Sequence, residues 1–194
     1  MTFDDADNAV PVARALASGG VGIIEVALRT DAALAAIEAI RSHVPGMLVG
    51  AGTLRRPDDF TRAEHAGAQF AVSPGTTEEL LKRARSTSLP FLPGASTVSE
   101  IMRLCNAGYD VVKFFPAQSL GGPAALAAIG GPLPDVCFCP SGGIQQADFM
   151  SWLQLDNVIS VGGSWLAPAD ALGNWQRIEQ TARDTMAQLQ RDGS

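Results

Sequence analysis

The sequence predicts an α/β fold, a parallel (β/α)8 or TIM barrel, and two observations support this prediction. Short apolar runs that end in glycine or small polar residues begin at residues 22, 47, 70, 90, 111, 136 and 158. Helical patterns lie between them. Such runs are typical of parallel strands that helices cover on both faces, and the alternation indicates βα units. An open doubly wound sheet is the alternative architecture.

Helix start signals accompany the strand pattern. "DAALAAIEAI" opens with Asp31, which can cap the helix. "TTEELLKRA" offers a capping box formed by Thr76 and Glu79. "STVSEIMRLCNAG" begins with serine and threonine and ends in glycine, which is a start and stop signature. We therefore expect a helix after each of these strand ends.

The first strand of the barrel is missing from the pattern. Seven apolar runs are present, and only "MTFDD" precedes the first helix, near "DNAVPVARALASGG". We expect no core strand in that stretch. Either a segment upstream of Met1 exists in the native gene product, or a neighbouring element fills the gap; a true seven-stranded barrel is the third possibility. Residues 1–194 are expected to form one domain.

Composition and charge exclude several classes of function. The chain has 194 residues, 46% of them apolar, and a net charge of −6, which argues against a nucleic-acid partner. No apolar stretch is as long as a membrane span, and the start does not resemble a signal peptide. The three cysteines include Cys137 and Cys139 on one strand face, which we interpret as buried thiols, with a metal site as the alternative. We expect a soluble cytoplasmic protein that needs no metal or cofactor.

Lys113 lies where a buried strand is expected, inside "VVKFFPA". Alternate side chains of a strand share a face, so Lys113 points away from Phe114 and, if Phe114 packs on helices, into the barrel mouth where active sites of this fold lie. Burial of an ammonium group is costly and favours the neutral amine, which forms Schiff bases with ketones. The alternative is a lysine that reaches solvent or pairs with a carboxylate for structure.

Two further charges share a strand face in "IEVALRT". Glu25 is a candidate general acid and base, and Arg29 is a candidate carboxylate ligand. Charged side chains in a core strand are expected to be paired or functional. A structural cluster of Glu25, Arg29 and Lys113 without chemistry is the alternative. Thr53 ends the following strand with its hydroxyl available.

Two glycine-rich strand ends indicate an anion site. "PSGGI" places Ser141 before two glycines, and "VGGSW" places Ser164 after two others. Glycines allow close backbone approach, and barrels commonly bind phosphate after strands seven and eight. The alternative is that these glycines only form tight turns. Trp165, directly after the second loop, is expected in the core or in an interface.

These motifs together resemble the 2-keto-3-deoxy-6-phosphogluconate aldolase family, the class I aldolases of the Entner–Doudoroff pathway. The resemblance covers residues from about 9 to about 185. Its most specific segments are "GGVGIIEVALRT", "VGAGTL", "QFAVSPG", "LPGASTVSEI", "VKFFPA", "CPSGGI" and "VGGSWL". Members carry a first strand rich in proline and valine, which this chain lacks.

The resemblance implies a role for each residue of the reacting centre. Lys113 is implied as the Schiff-base lysine, and Glu25 as the acid and base that moves protons through a bound water. Arg29 and Thr53 are implied to hold the substrate carboxylate. Cleavage of the phosphorylated sugar acid into pyruvate and glyceraldehyde 3-phosphate is the implied reaction.

The same resemblance implies the walls of the pocket and its phosphate end. Pro74 and Phe115 are implied as apolar walls, and Ser141 stands where many members have threonine, so the preference between sugar epimers is open. The implied phosphate ligands are Gly142, Gly143, Gly163 and Ser164. The family needs no metal and is typically trimeric.

Several alternatives remain at this point. The same lysine could serve an aldolase for 4-hydroxy-2-oxoglutarate or for the galactose-configured sugar acid. A phosphate-binding isomerase or synthase would need no imine. A truncated barrel could bind ligand without turnover.

Overall fold

The computed structural model describes residues 1–192, in which strands and helices alternate along the chain as predicted. The strands are Ile23–Ala27 (β1), Leu48–Gly52 (β2), Phe70–Val72 (β3), Phe91–Leu92 (β4), Gly94–Ala95 (β5), Val111–Phe114 (β6) and Cys137–Pro140 (β7). The α-helices are Ala9–Ser18 (α1), Ala33–His43 (α2), Pro57–His65 (α3), Glu78–Ala84 (α4), Val98–Asn106 (α5), Gly122–Gly130 (α6), Phe149–Leu153 (α7) and Trp175–Asp192 (α8).

Every strand pair is parallel. Strands β1 to β4 form one sheet in chain order, and β5 to β7 form a second. The two sheets meet at Pro93, which separates β4 from β5 and whose carbonyl accepts a hydrogen bond from the Lys113 N–H (2.9 Å). The apolar run predicted as one strand from residue 90 is therefore one chain segment that contributes to both sheets. The α/β class with parallel strands is confirmed.

The beginning of the chain contributes more to the core than the sequence indicated. Phe3 is buried, and the N–H of Ala27 donates to the carbonyl of Met1 (2.8 Å), so residues 1–3 run beside β1. No strand is assigned to residues 1–5 of the described chain, but the burial of Phe3 was not anticipated, because a single phenylalanine is too little to form a pattern.

The last predicted strand is present only in part. The run from residue 158 pairs with β7 through two isolated bridges, Phe138 with Val158 and Ser141 with Gly162. Between the bridges the described chain is not a regular strand. The segment nevertheless lies beside β7, where the eighth strand of a barrel belongs.

The helix starts agree with the sequence at one site of three. Thr97 caps α5, which agrees with the predicted serine and threonine start, and it also forms a capping box with Glu100. Helix α4 is capped by Thr77, whereas the Thr76 hydroxyl donates to the Gly94 carbonyl (2.8 Å) and so ties β3 to β5. Helix α2 begins after Ala32 without a side-chain cap, so the prediction for Asp31 was wrong.

The buried side chains lie in two clusters, one under each sheet. The largest members of the first include Phe60, Ile37, Ile40 and Leu54, and those of the second include Trp152, Phe114, Phe138 and Phe149. Burial of each such side chain contributes roughly 1.5–3 kcal/mol. Along residues 1–192 no helix combines the length and apolarity that a membrane span requires.

Candidate active site

Because all strands are parallel, their carboxyl ends lie at one edge of the sheets, and the predicted site residues follow this edge. Glu25 lies within β1 and Lys113 within β6. Thr53 comes directly after β2, Pro74 two residues after β3, and Ser141 directly after β7. Five segments far apart in sequence thus converge at one end of the fold, where catalytic residues of parallel α/β proteins are found.

Lys113 and Glu25 form the centre of this edge. The Lys113 Nζ donates to both carboxylate oxygens of Glu25, at 3.1 Å to Oε1 and 3.3 Å to Oε2. The lysine side chain is only 10% exposed, whereas that of Glu25 is 33% exposed. A carboxylate at hydrogen-bond distance from the amine can exchange protons with whatever the amine attacks. The alternative interpretation of the same contact is a structural ion pair.

Gly52 creates the space that the Glu25 carboxylate occupies, and the sequence reasoning missed it. Gly52 is the register partner of Ala27 on the neighbouring strand. A Cβ added at Gly52 would lie 2.0 Å from Glu25 Oε1 and 2.5 Å from its Cγ. Glycine inside a strand often marks a close approach, and this signal could have identified the residue.

A hydrogen-bond ring behind Lys113 holds the junction of the two sheets. Ser73 is fully buried, and its hydroxyl accepts from the Gly94 N–H (3.2 Å) and pairs with the Thr76 hydroxyl (3.2 Å). Gly94 is in turn the register partner of Lys113. The Ser73 hydroxyl therefore accepts the Gly94 N–H in place of a strand carbonyl, where β4 ends and β5 begins. Pro74, the predicted wall residue, follows Ser73 directly.

Arg29 and Thr53 lie just beyond the ends of β1 and β2. Arg29 is exposed, and across residues 1–192 its guanidinium forms no ion pair, so the structural Glu–Arg–Lys cluster is reduced to a Lys–Glu pair. Thr53 has a φ of 63°, the one non-glycine residue with positive φ in the described chain. A β-branched residue in this region is strained, and such strain is concentrated at functional sites.

The strain at Thr53 gives a testable prediction. Thr53→Gly should raise the free energy of unfolding by about 1 kcal/mol, because relief of roughly 1–3 kcal/mol of strain exceeds the entropic cost of glycine. Thr53→Ala removes the same hydroxyl but keeps the strained Cβ, so it should not stabilise the fold. Urea unfolding of the two variants measures the difference. A Thr53→Gly protein less stable than Thr53→Ala would contradict the prediction.

The next part of the site joins the lysine to the first glycine loop. The Lys113 Nζ lies 5.7 Å from the centre of the Phe115 ring. A Cβ added at Gly142, whose φ is 97°, would lie 3.0 Å from the same ring. Phe115 thus separates the amine from the loop, which fits its predicted role as a wall. The Ala117 N–H donates to the Ser141 carbonyl (2.8 Å) and anchors the loop.

The two glycine loops are themselves adjacent. Ser141 and Gly162 form a backbone bridge, and the Gly162 N–H donates to the Pro140 carbonyl (2.9 Å). Gly143 also has a positive φ, 84°, so a side chain there would be strained. Gly163 packs against the ring of Trp165. The loops therefore lie side by side, as a shared anion site requires.

Cys139 lies beside the lysine as its register partner in β7. Burial raises the pKa of the Cys139 thiol from 9.0 to about 11, and Cys137 adds to the shift. The thiol is neutral at physiological pH and so acts as a small apolar neighbour of Lys113. All three cysteines are free, and no group of three metal-ligating side chains occurs within residues 1–192.

A lysine amine held beside a carboxylate, at the carboxyl edge of parallel strands and next to two glycine loops, is an arrangement suited to chemistry on small carbonyl compounds with an anionic end. The comparisons with known proteins specify the class. The family model for KDPG and KHG aldolase matches residues 1–181, and the chain belongs to this family. It is a lyase of the aldolase type.

Individual relatives support the same conclusion. The chain is 50% identical over 182 residues to the KHG/KDPG aldolase of Escherichia coli K12, covering 93% of this chain and 85% of the relative. It is 46% identical over 189 residues to the 2-dehydro-3-deoxy-phosphogluconate aldolase of Pseudoalteromonas atlantica, covering 96% and 88% of the two chains.

A solved structure resembles the fold closely. The KDPG aldolase of Legionella pneumophila, with pyruvate captured as a covalent carbinolamine, superimposes with a TM-score of 0.93 at 41% identity. The similarity covers 95% of this chain and 91% of the other. The expected class I aldolase fold and family are thereby confirmed.

Proposed function

We propose that this protein cleaves 2-keto-3-deoxy-6-phosphogluconate into pyruvate and glyceraldehyde 3-phosphate through a Schiff base on Lys113. The observation that supports this most directly is the buried amine hydrogen-bonded to Glu25 at the strand ends. Relatives at 42–50% identity that are named as aldolases for this substrate support the choice of sugar acid.

In the first half of the proposed reaction the amine becomes an electron sink. Glu25 takes a proton from the Lys113 ammonium group, and the neutral amine attacks the C2 ketone to form a carbinolamine. Glu25 then gives this proton to the carbinolamine hydroxyl, which leaves as water, so that a protonated imine remains. Glu25 takes the proton of the C4 hydroxyl directly or through a water, and the electrons of the C3–C4 bond move to the imine. Glyceraldehyde 3-phosphate leaves, and an enamine of pyruvate stays on Lys113.

The second half regenerates the enzyme. The enamine carbon is protonated, and water hydrolyses the imine to release pyruvate and free Lys113. Glu25 lies close enough to return the proton it accepted, since its two oxygens lie 3.1 and 3.3 Å from Nζ. Proton removal and proton return therefore need no further titrating group.

The two ends of the substrate are assigned to opposite sides of the amine. Arg29 and Thr53 hold the carboxylate, with Pro74 and Phe115 as apolar walls of the pyruvate pocket and Ser141 beside them. The backbone of the two glycine loops and the Ser164 hydroxyl hold the phosphate; these ligands are Gly142, Gly143, Gly163 and Ser164. Fixing both ends places the C3–C4 bond over Lys113, which is a proximity effect.

Borohydride trapping tests this proposal. The protein is incubated with pyruvate and borohydride, digested, and its peptides are weighed by mass spectrometry. The chain has three primary amines, those of Lys82, Lys113 and the Met1 amino terminus, and they lie on different peptides, so the mass of the modified peptide assigns the adduct. An adduct on the Lys113 peptide alone is expected. A folded sample without any adduct would refute the Schiff-base reaction.

A second substrate is supported by one observation. The Escherichia coli relative at 50% identity is named as an aldolase for both KHG and KDPG. We therefore include 4-hydroxy-2-oxoglutarate as a candidate substrate of the same lysine. The ratio of kcat/KM values on the two compounds ranks them, with pyruvate release measured in both assays.

We also propose a cytoplasmic homotrimer in which the sheets close as a barrel, with residues 1–3 between β1 and the segment from residue 158. Val98 and Met102 on α5, and Leu120 after β6, are exposed apolar side chains, which supports an association surface. The free thiols support a reducing compartment. Sedimentation equilibrium would contradict the trimer if it gave the protomer mass.

A further inference from the structure

The ring of Trp165 lies directly against the backbone of the second glycine loop. A Cβ added at Gly163 would lie 1.5 Å from Cζ3 of the indole and 1.9 Å from Cε3. No side chain fits at residue 163 while the ring keeps its place, so this position of the ring requires a glycine there. The indole thus forms a rigid support on one side of Gly163.

The same ring contacts the structure that follows the first glycine loop. Trp165 stacks on Phe149, with ring centres 5.5 Å apart and planes inclined by 30°. Phe149 is buried and is the first residue of α7, the helix that comes after Gly142 and Gly143. One indole therefore links the second glycine loop to the helix that follows the first glycine loop.

The position of the indole is fixed from its third side by α8. The Trp165 Nε1 lies 3.5 Å from the Thr185 hydroxyl oxygen, which is a weak hydrogen bond. Thr185 is 4% exposed, and its hydroxyl donates to the Thr181 carbonyl (2.8 Å). The contact orients the ring without drawing it away from Gly163.

From these contacts we infer that Trp165 is a positioning residue that sets the spacing of the two glycine loops and thereby the affinity for the phosphate of the substrate. The inference rests on the proposed function, because it needs the loops to bind that phosphate. Within residues 1–192, Trp165 forms no hydrogen bond or ring contact with Lys113 or Glu25. Loss of the indole should therefore weaken binding of the substrate phosphate and leave imine formation with pyruvate intact.

The test compares a phosphorylated and an unphosphorylated ligand in Trp165→Leu. KM for 2-keto-3-deoxy-6-phosphogluconate should rise roughly tenfold to a hundredfold, since displacements of about 1 Å in positioning residues have effects of this size. The pyruvate concentration that gives half-maximal borohydride trapping should change by no more than about twofold. Trp175→Leu, which removes an indole packed on the other core cluster, is the matched control.

Three milder variants keep the test decisive if Trp165→Leu does not fold. Trp165→Phe retains the stack and should keep most of the affinity. Thr185→Val removes the acceptor of the indole N–H and should raise KM for the phosphorylated substrate several-fold, whereas Thr185→Ser should restore it.

Two results would overturn the inference. One is an unchanged KM for the phosphorylated substrate in Trp165→Leu and Thr185→Val. The other is an equal loss of affinity for the phosphorylated substrate and for pyruvate in the trapping assay, which would make Trp165 purely structural. Failure of the wild-type protein to trap pyruvate is a separate result. It would refute the Schiff base on Lys113, whatever the Trp165 variants do.

Discussion

Lys113→Arg is expected to abolish turnover, with a loss of roughly a thousandfold or more in kcat/KM. Arginine keeps the positive charge beside Glu25 and can keep the ion pair, so the fold should survive. Its guanidinium stays protonated and cannot attack a ketone. The substitution therefore distinguishes an imine-forming lysine from a lysine that only pairs with Glu25. Both roles are compatible with the Nζ–carboxylate distances of 3.1 and 3.3 Å.

The measurement combines steady-state cleavage with borohydride trapping. Lys82→Arg is the matched control, because Lys82 is an exposed residue of α4 and the one other lysine of the sequence. That variant should keep wild-type turnover and the pyruvate adduct on Lys113. If Lys113→Arg turned over substrate at a rate close to wild type, Lys113 would be a structural residue and the mechanism would be wrong.

The order of strands and helices could be predicted from the sequence because burial on both faces leaves a strong local pattern. The runs from residues 22, 47, 70, 111 and 136 all contain the strands found. The run from residue 90 is divided, because Pro93 lacks the N–H that a continuous ladder requires. Residues 1–3 escaped the pattern, since their place beside β1 depends on a backbone bond to Ala27.

The sequence also singled out two charged side chains that lie together in the fold. A lysine and a glutamate in apolar strands conflict with local expectation, and the structure pairs them. Gly52 and Trp165 were not predicted as site residues because their contribution is steric and depends on which groups pack against them in the folded chain. The strained φ of Thr53 is likewise a property of the folded backbone. Contacts between segments that are far apart in the chain could not be predicted, because a single sequence carries no local pattern for them.

Gly52→Ala should reduce kcat/KM roughly a hundredfold while leaving the fold almost as stable as wild type. The added methyl group would meet Oε1, Cγ and Cδ of Glu25 at 2.0 to 2.6 Å. These atoms belong to the end of a flexible side chain that is one-third exposed, so Glu25 can swing towards solvent. Its carboxylate then leaves hydrogen-bond distance of Lys113, and a displacement of about 1 Å at a reacting group costs about a hundredfold in rate.

Two other glycines show whether the effect arises at Glu25. Gly22→Ala adds a methyl group with nothing within 4 Å, so activity and stability should match wild type. Gly94→Ala places its Cβ 2.4 Å from the Ser73 carbonyl oxygen, a backbone atom that cannot swing away, so the fold itself should be destabilised. Gly52→Ala should resemble Gly22→Ala in urea unfolding and a Glu25→Gln variant in turnover. Turnover equal to wild type in a folded Gly52→Ala protein would show that catalysis does not depend on where the Glu25 carboxylate lies.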